Sequence, residues 1–441
     1  MTADPSDTAG PPASGRNPLT LFGVALTTAS AIAFIAYYVV EALGLIEGPY
    51  AGLFGFFLIP ALFVLGLLLI PLGMWREARR RRRGRAPWPW PIVNFGRPAT
   101  RRLAAAVGVL TLVNLAIVAV AGFGAVHYME TTEFCGQVCH EPMRPQFTSH
   151  RVGAHAHVKC VGCHVAPGAE GAVRAKLNGT RQLYEVAVGS YPRPIHAEGR
   201  VPGASETCSS CHRPGFTPRD TTRVIRDYAD DEASTETVTT LDLFTTRIHW
   251  HIRPDVRIEY TVSATDPGAV TYVRATTPGG VTEYSGPNVP AAPNGPLRTM
   301  DCLDCHNRPA HTLSATAERT VDRAIAAGEI DRSLPFVRRE VLAAVKAEYD
   351  SEASAVASIE RRLLETYASR GRTPEVTKAI QTAQTLYRSN VFPEMKVTWG
   401  TYLPLLGHVD APGCFRCHDD EHKAKSGAAI RQDCELCHTI R

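Results

Sequence analysis

The chain has 441 residues, 44% of them hydrophobic, and 12 cysteines that fall in six pairs, so no thiol is left for anything else. That length allows two or three domains of ordinary globular composition. The net charge of +4 misleads, because one arginine run supplies it, and the position of that run between apolar segments excludes a nucleic-acid site in favour of a membrane one.

Residues 1–18, rich in Pro, Gly, Ala and Ser, read as a disordered tail. Leu19–Val40, Gly48–Trp75 and Leu103–Val126 contain no charged residue. As helices rising ~1.5 Å per residue, each is long enough for a hydrocarbon core of ~30 Å. Three transmembrane helices are expected: a hairpin over 19–75 and a third helix over 103–127. Arg16 is the only basic residue ahead of the first run, and that run is too long for a cleaved signal peptide. Residues 76–102 carry ten arginines against the single acid Glu77. The positive-inside rule makes this loop cytoplasmic, with the N-terminus on the same side and everything after Val126 outside.

The outer part opens on FCGQVCHEPM, VKCVGCHVAPG and ETCSSCHRPG within residues 128–220. Three further copies follow: CLDCH from Cys302, CFRCH from Cys414 and CELCH from Cys434. Two thiols with a histidine directly after the second hold haem covalently: the thiols add to the porphyrin vinyl groups and the imidazole reaches the iron. A zinc knuckle, a redox dithiol or a structural disulfide needs no histidine there. The attachment residues are then Cys135 and Cys139, Cys160 and Cys163, Cys208 and Cys211, Cys302 and Cys305, Cys414 and Cys417, Cys434 and Cys437. The proximal iron ligands are His140, His164, His212, His306, His418 and His438. The first pair encloses three residues where the other five enclose two, and it is read as a haem site as well. In bacteria such attachment belongs to the periplasmic side, which agrees with the topology drawn from the arginines.

Residues 221–298 change texture. TETVTTLDLFTTRIHWHI, VRIEYTVSA and AVTYVRATT alternate and are rich in Val, Thr, Tyr and Ile, which predicts a small antiparallel sheet inserted between haem groups. Within 299–441, ATAERTVDRAIAAG, PFVRREVLAAVKAEY, ASIERRLLETYAS and PEVTKAIQTAQTLYRS repeat apolar residues at three and four, which predicts helices beside the last three haem sites. The expected fold is a membrane-anchored multihaem cytochrome c with three N-terminal transmembrane helices and a haem-packed, mostly α periplasmic region.

Each low-spin iron needs a second axial ligand, and ten histidines lie outside the motifs. His155 and His157 stand just before Cys160, and His249 and His251 would share one side of a strand. His311 follows His306 closely, while His408 and His422 bracket the fifth motif. His127, at the membrane boundary, is read as interfacial packing. Met143, in CHEPM, is either a thioether ligand that raises the potential of its iron or a buried apolar filler.

On these residues the segment from Val126 to Pro214 resembles the NapC/NirT family of membrane-anchored multihaem cytochromes, which are quinol dehydrogenases. A helix runs straight into FCxxxCHxxM, then HAHVKCVGCHVAPG, then the helix AKLNGTRQLYE, then TCSSCH. The resemblance implies that quinol is oxidised beside the first haem with Lys176 near the ring, that Met143 rather than His140 holds the first iron, and that His155 reaches across to another haem. This chain differs from the family in the three-residue spacer, in the position of Met143 and in having three membrane helices. The expectation is an inner-membrane hexahaem cytochrome carrying electrons from the menaquinol pool to a periplasmic redox protein or reductase. The alternatives are a wiring subunit docked on membrane oxidoreductase subunits, and a terminal reductase of a small oxyanion, although no CxxCK motif is present.

Overall fold

The computed structural model describes residues 17–42, 58–84, 96, 98–196, 202–204, 206–212, 219–266, 268–287, 293 and 295–441. The chain forms two compact units, Met1–Glu130 and Thr131–Arg441.

The first unit contains α1 (Pro18–Ala42), α2 (Ile59–Arg82) and α3 (Pro98–Met129). Pro18–Tyr37, Ile59–Arg80 and Thr111–Met129 are long and apolar enough to cross a membrane. The expected tail up to residue 16, part of the second expected span (48–57) and most of the segment 85–97 lie outside the described residues. Helix α2 runs on through Arg76 and Arg79 to Arg82, because arginine is a good helix former whose aliphatic stem lies along the helix while its charge reaches out. Helices α1 and α2 pack through small residues. A Cβ at Gly66 would meet Thr27 Oγ1 at 2.4 Å, and one at Gly73 would meet Thr20 Oγ1 at 2.4 Å. Asn17 Nδ2 donates to the Gly73 carbonyl at 2.6 Å. Close backbone approach of this kind is how helices associate in lipid, where burial of apolar surface supplies no drive.

The second unit opens with α4 (His140–Arg151) and α5 (Gly168–Ala187). The inserted region yields two antiparallel sheets rather than one. Strands β1 (Thr221–Tyr228) and β2 (Glu236–Leu243) form one sheet; β3 (Arg257–Val262), β4 (Val270–Thr277), β5 (Gly280–Ser285) and β6 (Arg298–Thr299) form the other. Each sheet is completed from the far end of the chain, by β7 (Lys423–Ala424) on β5 and by β8 (His438–Ile440) on β2. The RIHWHI segment, expected as strand, is helical over Thr245–Ile252. Asp220 explains this, accepting hydrogen bonds from the Thr246 amide at 3.0 Å and hydroxyl at 2.8 Å and so capping the turn at its start.

Helices α6 (Ala317–Ala326), α7 (Val337–Val345), α8 (Glu352–Thr366) and α9 (Pro374–Asn390) follow the expected periodicity. Thr316, Ser351 and Thr373 cap three of them through their hydroxyls. Val321, Ile359, Leu363, Val376 and Tyr387 close a shared apolar core. Burying each such side chain stabilises by ~1.5–3 kcal/mol. Arg338 crosses this bundle to the buried carboxylate of Asp322 at 2.7 Å and to Asp230 at 2.7 Å.

Candidate haem sites

Five of the six motifs fold as a single helical turn. The second is an α-turn (Val161–His164), and 3-10 turns begin at Cys208, Cys302, Gly413 and Cys434. The amides of His164, His212, His306 and His418 donate to the carbonyl of the first cysteine of their motif, at 2.7 to 3.1 Å. Thiols at i and i+3 with an imidazole at i+4 therefore lie on one side of the turn. In the first motif a π-helical turn, Phe134–Val138, takes up the additional residue. Phe147 packs there so closely that a Cβ on Gly136 would fall 2.1 Å from its ring. All twelve cysteines are free thiols.

The structure brings a second histidine to five of the motif histidines. His311 lies 6.1 Å from His164 between ring centres, His155 6.2 Å from His212, His249 6.3 Å from His306, His251 5.8 Å from His418 and His408 6.1 Å from His438. An imidazole nitrogen sits ~2.0 Å from its metal and ~1.1 Å from its ring centre, so two imidazoles on one iron have centres ~6.2 Å apart. The observed separations match that requirement.

The hydrogen bonds fix which nitrogen is offered. Nδ1 of His155, His249, His251 and His311 faces the carbonyl of Pro309, Thr245, Ile248 and Gln146, at 2.8 to 3.1 Å. With Nδ1–H donating, Nε2 keeps its lone pair for a metal, the arrangement that orients histidine ligands generally. Burial, together with the nearby His164 ring, lowers His311 to about 4, so this imidazole is neutral and ready to ligate across the physiological range.

His249 and His251 do not share a side toward one motif. On their 3-10 turn they face the fourth and fifth motifs separately. His422 is 2% exposed, with Nδ1 on Asp419 at 2.8 Å and Nε2 on the Val270 carbonyl at 3.2 Å. Both nitrogens are engaged, and this side chain ties β4 to the loop after the fifth motif in place of the expected ligand role. His157 is exposed, and among the described residues no motif histidine faces it. His150, not singled out from the sequence, is buried with its ring 6.1 Å from that of His311.

The first site differs from the rest. Among the described residues His140 has no histidine ring opposite it; it is exposed, while Met143, one helical turn on in α4, is half-buried. Cys135 and Cys160 lie side by side, with Lys176 of α5 near Cys135. His127 stacks on Phe123, the packing role expected of it.

No family profile matches the chain, so the NapC/NirT likeness rests on the motifs alone, and no solved structure matches it. A curated protein does: the cytochrome c-type protein ImcH of Geobacter sulfurreducens is 36% identical over 450 residues, 96% of this chain and 88% of that protein. A cytochrome c-type relative and paired thiols agree on covalently bound haem c, in a chain with three membrane-capable helices. At that identity and coverage the chain belongs to the family of the cytochrome c-type protein ImcH.

Proposed function

We propose that this chain is an inner-membrane hexahaem cytochrome c that takes electrons from quinol, menaquinol in particular, and passes them to periplasmic acceptors. Haem supplies one-electron storage at each motif. The protein's part is to hold each iron between two fixed ligands, His164 with His311, His212 with His155, His306 with His249, His418 with His251 and His438 with His408, and to hold the first through Met143. The arginines of residues 76–102 keep the N-terminus cytoplasmic and the motifs outside.

The observation that carries the quinol reading is the placement of Lys176, on α5, near Cys135 of the first site. On the same helix Val173, Leu177 and Tyr184 are exposed at 60, 70 and 68%, an apolar stripe suited to a lipid-soluble donor. Oxidising the quinol releases two electrons and two protons. Lys176 stabilises the oxygen that loses its proton, and Glu185, paired with Arg181 at 3.4 Å, lies on the same helix to relay protons outward.

Stopped-flow mixing of the membrane protein with a menaquinol analogue, followed at the haem α band, tests this reading. Lys176→Ala is expected to slow quinol-driven reduction by ~10²-fold and to leave dithionite reduction unchanged. Equal quinol rates in variant and parent would remove Lys176 from the site. An inert parent that dithionite fully reduces would remove quinol as the donor.

A further inference from the structure

We infer that the six sites form one electron path in chain order, from the first motif beside Lys176 to the sixth at the C-terminus, with the fourth site as the link between the first three and the last two. This rests on the reading that every motif carries haem, and a pyridine-haemochrome count of the protein checks that separately.

Direct contacts join consecutive motifs. The sulfurs of Cys135 and Cys160 lie side by side between the first and second. The second and third are joined by His155, five residues ahead of Cys160, whose ring faces His212 at 6.2 Å. The Ala204 amide, just ahead of the third motif, donates to Asp301 at the start of the fourth at 3.4 Å. Arg416 inside the fifth motif donates to the Asp304 carbonyl inside the fourth at 2.8 Å. Phe415 of the fifth motif stacks on His408 at 4.3 Å and 15° between planes, and His408 is the ring that faces His438 of the sixth.

Two loops tighten the middle of the path. His249 and His251, with one residue between them, serve the fourth and fifth sites, so those two sites are spanned by a single helical turn. The fourth motif's loop carries His311 to the second site, and its Pro309 carbonyl holds His155 of the third. The second, third and fourth sites thus pack around the fourth motif's loop, the fourth joins them to the fifth and sixth, and the first and sixth sites are the two ends.

The test injects electrons at the far end. Ile440 is 66% exposed, two residues past His438, and Ile440→Cys takes a ruthenium polypyridyl label that, with a sacrificial donor, delivers one electron per flash. In the labelled parent, successive flashes are expected to reduce all the haems. With the fourth haem deleted by Cys302→Ala and Cys305→Ala, fast reduction is expected to stop at the two haems of the fifth and sixth motifs. Equally fast spread to the first three sites would overturn the linear order. Should the deletion fail to fold, His249→Met raises the potential of the fourth site instead. The injected electron is then expected to rest there and to reach the first three sites about tenfold more slowly than in the parent, and unchanged arrival overturns the order. No quinol takes part, so this result and the quinol reading fail independently.

Discussion

The four-helix bundle of α6–α9 and the motif-bearing segment 131–212 belong to one compact unit yet are held together differently. The bundle closes over Val321, Ile359, Leu363 and other fully buried apolar side chains. Between residues 131 and 212 the buried residues among those described are Gly136, Pro142, Pro145, Ser149, His150, Ala204 and Thr207, all of them small, cyclic or polar. The bundle supplies its own core from its own sequence. The motif segment has no such apolar core among its described residues, and its fold is a set of turns and loops that present thiols and imidazoles. A chain can thus contain a region with its own apolar core and one without it, with no boundary visible in its overall composition.

The largest expected effect breaks the comparison outright. If the full chain is produced without haem attachment, limited proteolysis should cut within 131–212 and spare a fragment spanning 315–401. Digestion of both regions at one rate would mean that the bundle, too, depends on haem. Next, Leu363→Ala should cost ~2–5 kcal/mol through the cavity it leaves, seen as loss of amide-exchange protection in α8 and α9 while the haem spectra of the folded protein stay as in the parent. The reverse pattern is expected of His251→Ala. One low-spin haem signal should disappear from the electron paramagnetic resonance spectrum and return with added imidazole, and protection of the bundle should change by less than ~0.5 kcal/mol. The same treatment of His422 should leave every low-spin signal in place, because both of its nitrogens are already engaged.

The smallest effect lies in the five-stranded sheet. Hydrogen bonds from Arg274 hold the Glu259 carboxyl below its ordinary value, with Arg257 helping. A depressed native value means that the unfolded chain binds the proton more readily. The stabilisation is therefore present above the ordinary carboxylate range and lost as the pH falls through the native value. Glu259→Gln should flatten that acid limb at a cost of ~1 kcal/mol near neutrality, measured by urea unfolding of the haem-loaded protein at a series of pH values.

The attachment motifs were legible in the sequence because a CxxCH turn is local: five residues fix both thiols and the imidazole. The helices at 317–390 and the strands at 257–277 were legible for the same reason, since their apolar periods are written along the segment itself. The partner of each motif histidine was not, because it is a matter of tertiary placement; only the family resemblance, and no spacing, pointed His155 beyond the second motif that it adjoins, and nothing local divides His249 from His251. The RIHWHI segment read as strand because its Ile and Trp fit one, and Asp220, more than twenty residues upstream, turns it into a helical cap. The closing strands β7 and β8 are too short to leave a periodic signal. The π-turn at Phe134 was invisible as a conformation, although the additional residue that produces it was in plain view.

The origin of the ring facing His164 has a consequence for biogenesis. A chain is synthesised from its N-terminus, and at the third to sixth motifs the second histidine precedes the cysteines, so everything those sites require has emerged by the time the motif does. The second motif alone must wait, because His311 arrives only with the loop of the fourth. In the nascent chain His164 therefore stands without the ring that faces it until strands β1 to β6 have been made and the loop after the fourth motif has emerged.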